Sequence, residues 1–402
     1  MSSLTFADLG VSPGVSSALE RRDITSPFAI QSLVLPDVLA GRDVLAKSPT
    51  GSGKTLAFGL GLVERIDPNG ARPAALVLAP TRELATQIVD ELAAVAKPRG
   101  LKITPVYGGV GLHAQAKDAA RSHIVVATPG RLEDQLARRA FTLDAVSILV
   151  LDEADRMLDM GFRPAIDRIV ALCPPKRQTL FFSATLDGEA GKIAASYTRN
   201  DAATHEHRPT EQRSLDIEHR FRRVEREERT DALIEELKAD RELALVFVRT
   251  KHGADRLVKQ LSRSGISAVA MHGNKSQRQR EQALSRFESG KVDCLVATDV
   301  AARGLDVAGI SHVINFDPPE DREGYVHRIG RTARAGATGV GITFVGTEQA
   351  RDVGRIARDL RLSEQFARSG HAVEGPARNH RGGGNRRRRP QGRHGAPRHA
   401  TR

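Results

Sequence analysis

Short unbroken apolar runs recur along the chain, and each gives way to a polar cluster. Asp43-Val-Leu-Ala46 leads to a Gly-rich stretch, Ser48–Thr55, and then to Leu56-Ala-Phe58. Ala74–Ala79 ends at Pro80, after which Thr81–Ala96 carries apolar residues at helical spacing. Ile103–Val106 ends at Tyr107-Gly-Gly109, and His123–Ala127 at Thr128-Pro-Gly-Arg131. Ser147–Leu151 ends at Asp152-Glu-Ala-Asp155, and Thr179–Phe182 at Ser183-Ala-Thr185. A strand apolar at every position is buried on both faces, and helix-length segments between such strands supply parallel crossovers. The pattern therefore predicts an α/β fold with a parallel sheet, and in such sheets ligands gather at the carboxyl ends of strands. Every polar cluster just named falls at one of those ends.

Residues 1–40 read as a helical approach to the Gly-rich stretch. From about residue 200 the apolar periodicity fades, and a linker is expected at 206–216. The alternation then restarts with Ala244–Val248, Ala268–Met271, Asp293–Ala297, His312–Phe316 and Gly341–Val345. Two domains follow, 1–205 and 217–365, the second a parallel sheet without a Gly-rich loop of its own. A helix after about Thr347 is the last ordered element expected. Residues 366–402 read as a tail that is low-complexity from about Gly370 and cannot bury apolar surface, so disorder is expected there.

Composition sharpens this. Hydrophobic residues are 40% of the 402 but aromatics only 4%, so Ala, Leu, Val and Ile must fill the cores. The net charge is +12, and His371–Arg402 holds nine Arg against one acid, Glu374. A basic surplus so concentrated points to a polyanionic partner. Cys173 and Cys294 stand alone and far apart, which excludes a disulfide framework and a zinc site and favours a reducing compartment. No apolar run approaches the ~18 residues of a membrane span, and the start lacks a charged-then-apolar leader. A soluble, cytoplasmic protein with no membrane partner is expected. No segment resembles a dimerisation element, so a monomer is expected too.

Chemistry begins at Ser48-Pro-Thr-Gly-Ser-Gly-Lys-Thr55. Strand, glycine loop and helix in that order turn backbone amides inward at a helix N-terminus, where they cradle phosphate. Lys54 adds a full charge, and the Thr55 hydroxyl suits magnesium. Ser48 stands where the general pattern has Gly. Asp152 and Glu153 end an apolar strand further on, the first placed to hold a metal and the second to polarise an attacking water. Arg328, Arg331 and Arg334 recur at every third residue of Tyr325–Gly336, and without an anion they would repel one another. A phosphate held by the other domain would satisfy all three, and an arginine donated in this way stabilises phosphoryl transfer. Gln31 has the donor and acceptor that could read an adenine edge.

Taken together, Gln31 and residues 46–55, 80–87, 108–109, 128–131, 152–155, 183–185, 245–250, 296–306 and 325–336 resemble the motifs of the DEAD-box RNA helicases, in order, from Phe6 to about Val345. The basic tail and compact core most resemble the bacterial RhlE-type branch. The resemblance implies two tandem RecA-like domains, ATP and Mg2+ as cofactors, and RNA as partner, bound without sequence preference as single strand or short duplex. It also offers ribosomal or degradosome-type assemblies as partners. By the same resemblance Phe6, Ile24 and Gln31 sense adenine. Ser48, Pro49, Thr50, Gly51, Ser52, Gly53, Lys54 and Thr55 hold the phosphates, and Asp306 the ribose. Thr55 and Asp152 face the metal, largely through water. Lys54, Asp152, Glu153, Arg331 and Arg334 are the catalytic set. Ser183, Ala184, Thr185 and His327 couple hydrolysis to strand separation. Pro80, Thr81, Arg82, Gly109, Thr128, Pro129, Arg131, Arg249, Gly273 and Thr298 contact RNA. Three departures stand out: Phe28 and Ala29 replace a small hydroxyl residue and Pro, Ser48-Pro49 replaces Ala-Gln, and Ala333 replaces Gly.

The expected activity is ATP-driven local separation of RNA duplexes. An ATP-gated RNA clamp and a DNA translocase are the alternatives that the same residues would serve.

Overall fold

The computed structural model describes residues 4–48, 52–186, 188–207, 217–239, 241–302, 305, 307–333 and 337–371. The first lobe opens with two helices, α1 (Pro13–Glu20) and α2 (Ala29–Leu39), ahead of β1 (Val44–Lys47) and α3 (Lys54–Arg65). Then follow β2 (Ala75–Leu78), α4 (Arg82–Ala96), β3 (Ile103–Val106), α5 (Leu112–Ala119), β4 (Ile124–Ala127) and α6 (Pro129–Ala137). β5 (Ile148–Leu151), α7 (Ala154–Asp159), α8 (Arg163–Ala171), β6 (Gln178–Ser183), α9 (Gly188–Tyr197) and β7 (Ala203–Glu206) complete it. All pairings in its sheet are parallel, in the order β3-β4-β2-β5-β6-β1-β7.

The second lobe starts at β8 (Ile217–Arg223) and α10 (Arg229–Lys238), followed by β9 (Leu243–Phe247), α11 (Lys251–Arg263), β10 (Ala268–Met271) and α12 (Gln277–Glu288). β11 (Cys294–Ala297), α13 (Asp299–Ala302), β12 (Ile310–Asn315), α14 (Arg322–Ile329) and β13 (Gly339–Val345) come next, and α15 (Ala350–Asp359) and α16 (Ser363–Ala367) last. Its sheet is parallel too, ordered β10-β11-β9-β12-β13-β8.

Each sheet carries an apolar layer on both faces, as the unbroken strands require. On β2, Ala75 and Val77 belong to one layer while Leu76 and Leu78 belong to the other. Small residues replace aromatic bulk by letting elements come close. A Cβ on Gly59 of α3 would lie 2.1 Å from Leu92 of α4, so only glycine fits that crossing.

Two expectations change here. β7 and β8 lie where the pattern fades, yet both are strands, each at one edge of its sheet. An edge strand is half solvated, so it has no need of an apolar run and is protected by charge instead. Glu206 of β7 forms an ion pair with Lys47 at 3.3 Å, and Arg222 of β8 one with Glu236 at 2.9 Å. The second change concerns the boundary at 365. Phe366 is 1% exposed and meets Phe221 edge-on at 5.4 Å, and His371 stacks on Phe366 at 5.4 Å. Packing of the second lobe thus runs on to His371. Most of the expected tail, 372–402, lies outside the described residues.

Replacing Phe366 by Ala leaves a cavity against Phe221 and Gly354. The expected cost is about 3–5 kcal/mol, read as a lower denaturant midpoint of the second lobe's transition.

Candidate nucleotide and nucleic-acid site

The site begins with the turn between β1 and α3. Ser48 N donates to Ser183 O at 2.9 Å, tying the ends of β1 and β6 together. Ser48 Oγ donates to Ser52 Oγ at 2.6 Å, and Lys54 Nζ to Ser48 O at 3.1 Å. Gly53 has φ +87°, a left-handed turn that glycine adopts without strain. Helix α3 starts at Lys54, so its unpaired amides and positive dipole end face the loop, a ready anion site. Thr55 is the next residue, half-buried. Pro49, Thr50 and Gly51 lie outside the described residues, as do Asp306 and Arg334.

Gln31 sits beside this turn and is already engaged. Its amide nitrogen donates to Gly53 O at 3.0 Å, and its amide oxygen accepts from Phe28 N at 2.8 Å, capping α2. Phe6 is buried in the core, and Ile24 packs against the same layer.

At the end of β5, burial pushes the Asp152 carboxyl up to about 7 against the pull of Lys54. Burial acts on Glu153 in the same sense, but Arg156, Lys54 and Arg331 outweigh it and hold that carboxyl at about 2. Arg156 Nη1 contacts Glu153 Oε2 at 2.9 Å, both side chains buried. Glu153 has φ +51° and ψ +48°, a left-handed backbone uncommon for this residue. The strain is held by the Arg156 bond and by Glu153 N donating to Asp152 Oδ1 at 3.0 Å. Asp155 Oδ2 accepts from Ala184 N at 3.0 Å, and Ser183 Oγ from Thr185 N at 3.3 Å. One chain of bonds thus links the loop, the end of β6 and the acidic cluster.

The second lobe delivers α14 to the same place. Burial and then Arg156 push His327 down to about 3, so its imidazole is neutral at physiological pH. Arg331 is buried, acts on Glu153, and donates from Nη1 to Leu305 O at 2.5 Å. Arg328 departs from the expected convergence of three arginines on one anion. It is neutralised inside its own lobe by Asp299, with Nε–Oδ1 at 2.6 Å and Nη2–Oδ2 at 2.7 Å. It also donates to Asn315 Oδ1 at 3.1 Å and stands 5.0 Å over the Phe247 ring. Ala333 has φ +53°, where glycine would be free of strain.

A separate cleft of about 470 Å³ runs between the lobes. Pro80, Thr81, Arg82, Thr128 and Arg131 line it from the first lobe, Gly273 from the second. Gly109 lies against the Arg82 guanidinium, Pro129 opens α6, and Thr298 caps α13 beside Val300 and Ala301 of the cleft wall. Arg249 is not brought there. It lines a smaller cleft of about 170 Å³ with Arg156, His327 and Arg331. Sequence reasoning missed Met160, Phe162, Lys275 and Arg280, which also line the larger cleft. Arg280 forms a cross-lobe ion pair with Glu83 at 2.9 Å, the side chains 11% and 8% exposed. Burial raises the Glu83 carboxyl although Arg280 opposes it. A pair whose partners come from different lobes carries no local signal in the sequence.

The metal implied by the resemblance is testable on the donor set. Asp152 is a buried carboxylate held high by burial, which a cation would relieve. Among the described residues no group of three or more His, Cys, Asp or Glu could hold a metal ion. One carboxylate and one hydroxyl, completed by phosphate and water, fit Mg2+.

Residues 28–193 match the family model of the DEAD/DEAH box helicases, and residues 228–336 that of the helicase conserved C-terminal domain. The DEAD-box ATP-dependent RNA helicase CshA of Bacillus licheniformis is 42% identical over 347 residues, 85% of this chain and 70% of that protein. The Bacillus subtilis CshA is 41% identical over 347 residues, 85% and 69% of the two chains. Saccharomyces cerevisiae Dbp5 bound to RNA and ADP BeF3 superposes with a TM-score of 0.80 at 27% identity, covering 92% of this chain and 100% of that one. Mss116p bound to ssRNA and AMP-PNP gives 0.79 at 27% identity, covering 89% and 77%.

Arg280→Ala strands Glu83 in the closed interface. RNA affinity measured with a non-hydrolysable ATP analogue is expected to fall at least tenfold, about 1.4 kcal/mol or more. Exchanging the two charges, Glu83→Arg with Arg280→Glu, is expected to recover part of the loss.

Proposed function

The chain belongs to the DEAD-box family of ATP-dependent RNA helicases, and we propose that Lys54, Asp152, Glu153 and Arg331 carry its hydrolytic step. It is an RNA-stimulated ATP hydrolase that binds RNA between two lobes. The observation supporting the catalytic assignment is the cleft in which His327 and Arg331 of the second lobe stand beside Arg156, the ion-pair partner of Glu153 in the first. A TM-score of 0.80 over two lobes requires a similar lobe arrangement, so the geometry corresponds to that of an RNA- and nucleotide-bound relative.

The reading runs as follows. Amides at the start of α3, with Lys54, take the phosphates. Asp152 and Thr55 would hold Mg2+, which would supply charge neutralisation at the transferring phosphoryl group. Glu153, ionised across the physiological range, orients the attacking water. Arg331 stabilises charge developing on the phosphoryl oxygens, a role worth about 10³–10⁵ in rate where an arginine supplies it. Arg334 belongs to the same proposal. Asp155, through Ala184 N, and the neutral His327 report the state of this centre to the cleft.

Thr81, Arg82, Gly109, Thr128, Arg131, Gly273 and Thr298 take the RNA backbone, which carries no base information. Local separation of a short duplex follows when closure admits one strand alone. The tail adds sequence-independent affinity, and with the compact core it supports the RhlE-type assignment. A cytoplasmic setting is supported by Cys173 and Cys294, free buried thiols that burial pushes up to about 11 and about 12. Among the described residues no helix is long and apolar enough to cross a membrane. The monomer and the ribosomal or degradosome-type partners stay within the proposal.

Glu153→Gln is expected to bind ATP and RNA while turnover and displacement of a short RNA duplex fall by roughly 10²–10⁴. Duplex displacement by wild type with ATP, compared with a non-hydrolysable analogue, distinguishes a helicase from a clamp. Removing residues 372–402 is expected to flatten the salt dependence of RNA binding, by roughly 0.7 log units per lost phosphate contact on single strands. An unchanged slope would make the tail a solubilising segment only.

A further inference from the structure

A further cavity, of about 260 Å³, lies between the lobes where α4 of the first faces α12 of the second. Among the described residues of its wall are four carboxylates, Glu83 and Asp90 on α4 and Glu281 and Glu288 on α12. On each helix the two acids stand seven residues apart, two turns or about 10 Å along the axis. Arg280 is the one basic residue among the described lining, and it is already paired with Glu83 at 2.9 Å. Closing the lobes therefore gathers like charges. Burial, and with it the nearby Glu281 charge, raises the Glu83 carboxyl although Arg280 opposes this. A second observation is independent of the charge. Gln277 lines the same cavity and is only 8% exposed. Its amide nitrogen donates to Glu281 Oε1 at 3.0 Å, while its amide oxygen is buried without a hydrogen-bond partner. A buried acceptor left so is a standing cost that a ligand N–H would remove. Met271, Leu284 and Leu305 add apolar surface to the wall. A metal ion does not suit this donor set, since among the described residues no group of three or more His, Cys, Asp or Glu could hold one. The acids are spread along the cavity, so their complement is spread too. Ammonium groups supply both the charge and the N–H donors, and methylenes between them lie on the apolar side chains.

We propose that this cavity binds a linear alkyl polyamine between the lobes, its ammonium groups on the carboxylates and one N–H on the Gln277 amide oxygen. Both helices supply contacts, so the polyamine favours the closed arrangement and strengthens the hold on RNA. The proposal rests on the reading above in which closure and RNA binding go together.

The test measures RNA affinity of the full chain with a non-hydrolysable ATP analogue, at fixed Mg2+ and ionic strength, with and without spermidine. Wild type is compared with the paired variant Glu281→Gln, Glu288→Gln, which keeps side-chain shape and removes charge. Both residues are exposed, and neither lines the cleft assigned to RNA. Any action of spermidine on the RNA itself is common to the two proteins and cancels. The gain in affinity with spermidine is expected to be about fivefold or more larger in wild type than in the variant. Butylamine, with a single ammonium group, is expected to show no such difference. Equal responses to spermidine overturn the proposal. So does an equal difference with butylamine, which would reduce the cavity to a general cation screen. A difference seen with a short arginine peptide and not with spermidine also overturns it, and gives the cavity to a side chain of a partner protein. Failure of the closure reading shows separately, as RNA affinity in wild type without any amine that the ATP analogue does not raise.

Discussion

The structure depends on keeping one buried carboxylate ionised. Glu153 lies between the lobes, where burial alone would neutralise it. Arg156 supplies the near countercharge from the same lobe, and Lys54 adds to it. Arg331 completes the set from the far lobe. Neither lobe holds the whole constellation, so the electrostatic balance at Glu153 is a property of the closed arrangement. Asp152, one residue away, feels burial more strongly than the pull of Lys54 and is driven the opposite way. Two adjacent carboxylates are thereby set to different tasks by their surroundings: one is ready for a cation and the other is held as an anion.

A cross-lobe ion pair lies beside the other cleft. Glu83 follows Thr81 and Arg82 in the first lobe's wall, and Arg280 rises from α12 of the second. Both partners lose water on closing, so separation of the lobes rehydrates them and closure must repay that desolvation. Whatever fills the cleft beside Arg82 and Arg280 lowers the cost of closure, and so does whatever fills the site at Glu153. Two ligands that favour the same closed state assist each other by equal factors, whichever binds first. The coupling of nucleotide to RNA then needs no dedicated relay, although the bonds from Ser48 through Ser183 to Asp155 provide one.

What the sequence disclosed follows from what local pattern can encode. Central strands such as Ile148–Leu151 were legible because burial on both faces forces every residue to be apolar, and the polar residue that ends each strand marks its functional end. The edge strands β7 and β8 were not legible, since one open side removes that demand and charge takes its place. Phe366 looked like the start of a tail because the residues after it are polar, while its partner Phe221 lies far back in the chain. Similarly, Arg280 and Glu83 pair across the cleft from different lobes. Arg328 was misleading for the same reason: Asp299, which neutralises it, comes from a different element.

The contrast between Arg328 and Arg331 shows how α14 is made a precise donor. Arg328 lies in the last turn of α14 and Arg331 just beyond its end, yet the first is absorbed by Asp299, Asn315 and the Phe247 ring, fixing the helix to the sheet beneath. Arg331 gives one nitrogen to the Leu305 carbonyl, which helps orient the guanidinium. His327, on the same turn, is held neutral and adds no repulsion. A flexible arginine would spend part of its attraction for a phosphoryl oxygen on its own ordering, and here that ordering is complete before the reaction begins. Three polar side chains at and just past the end of α14 thus divide into an anchor, a neutral neighbour and a buried cation that acts on Glu153 of the opposite lobe.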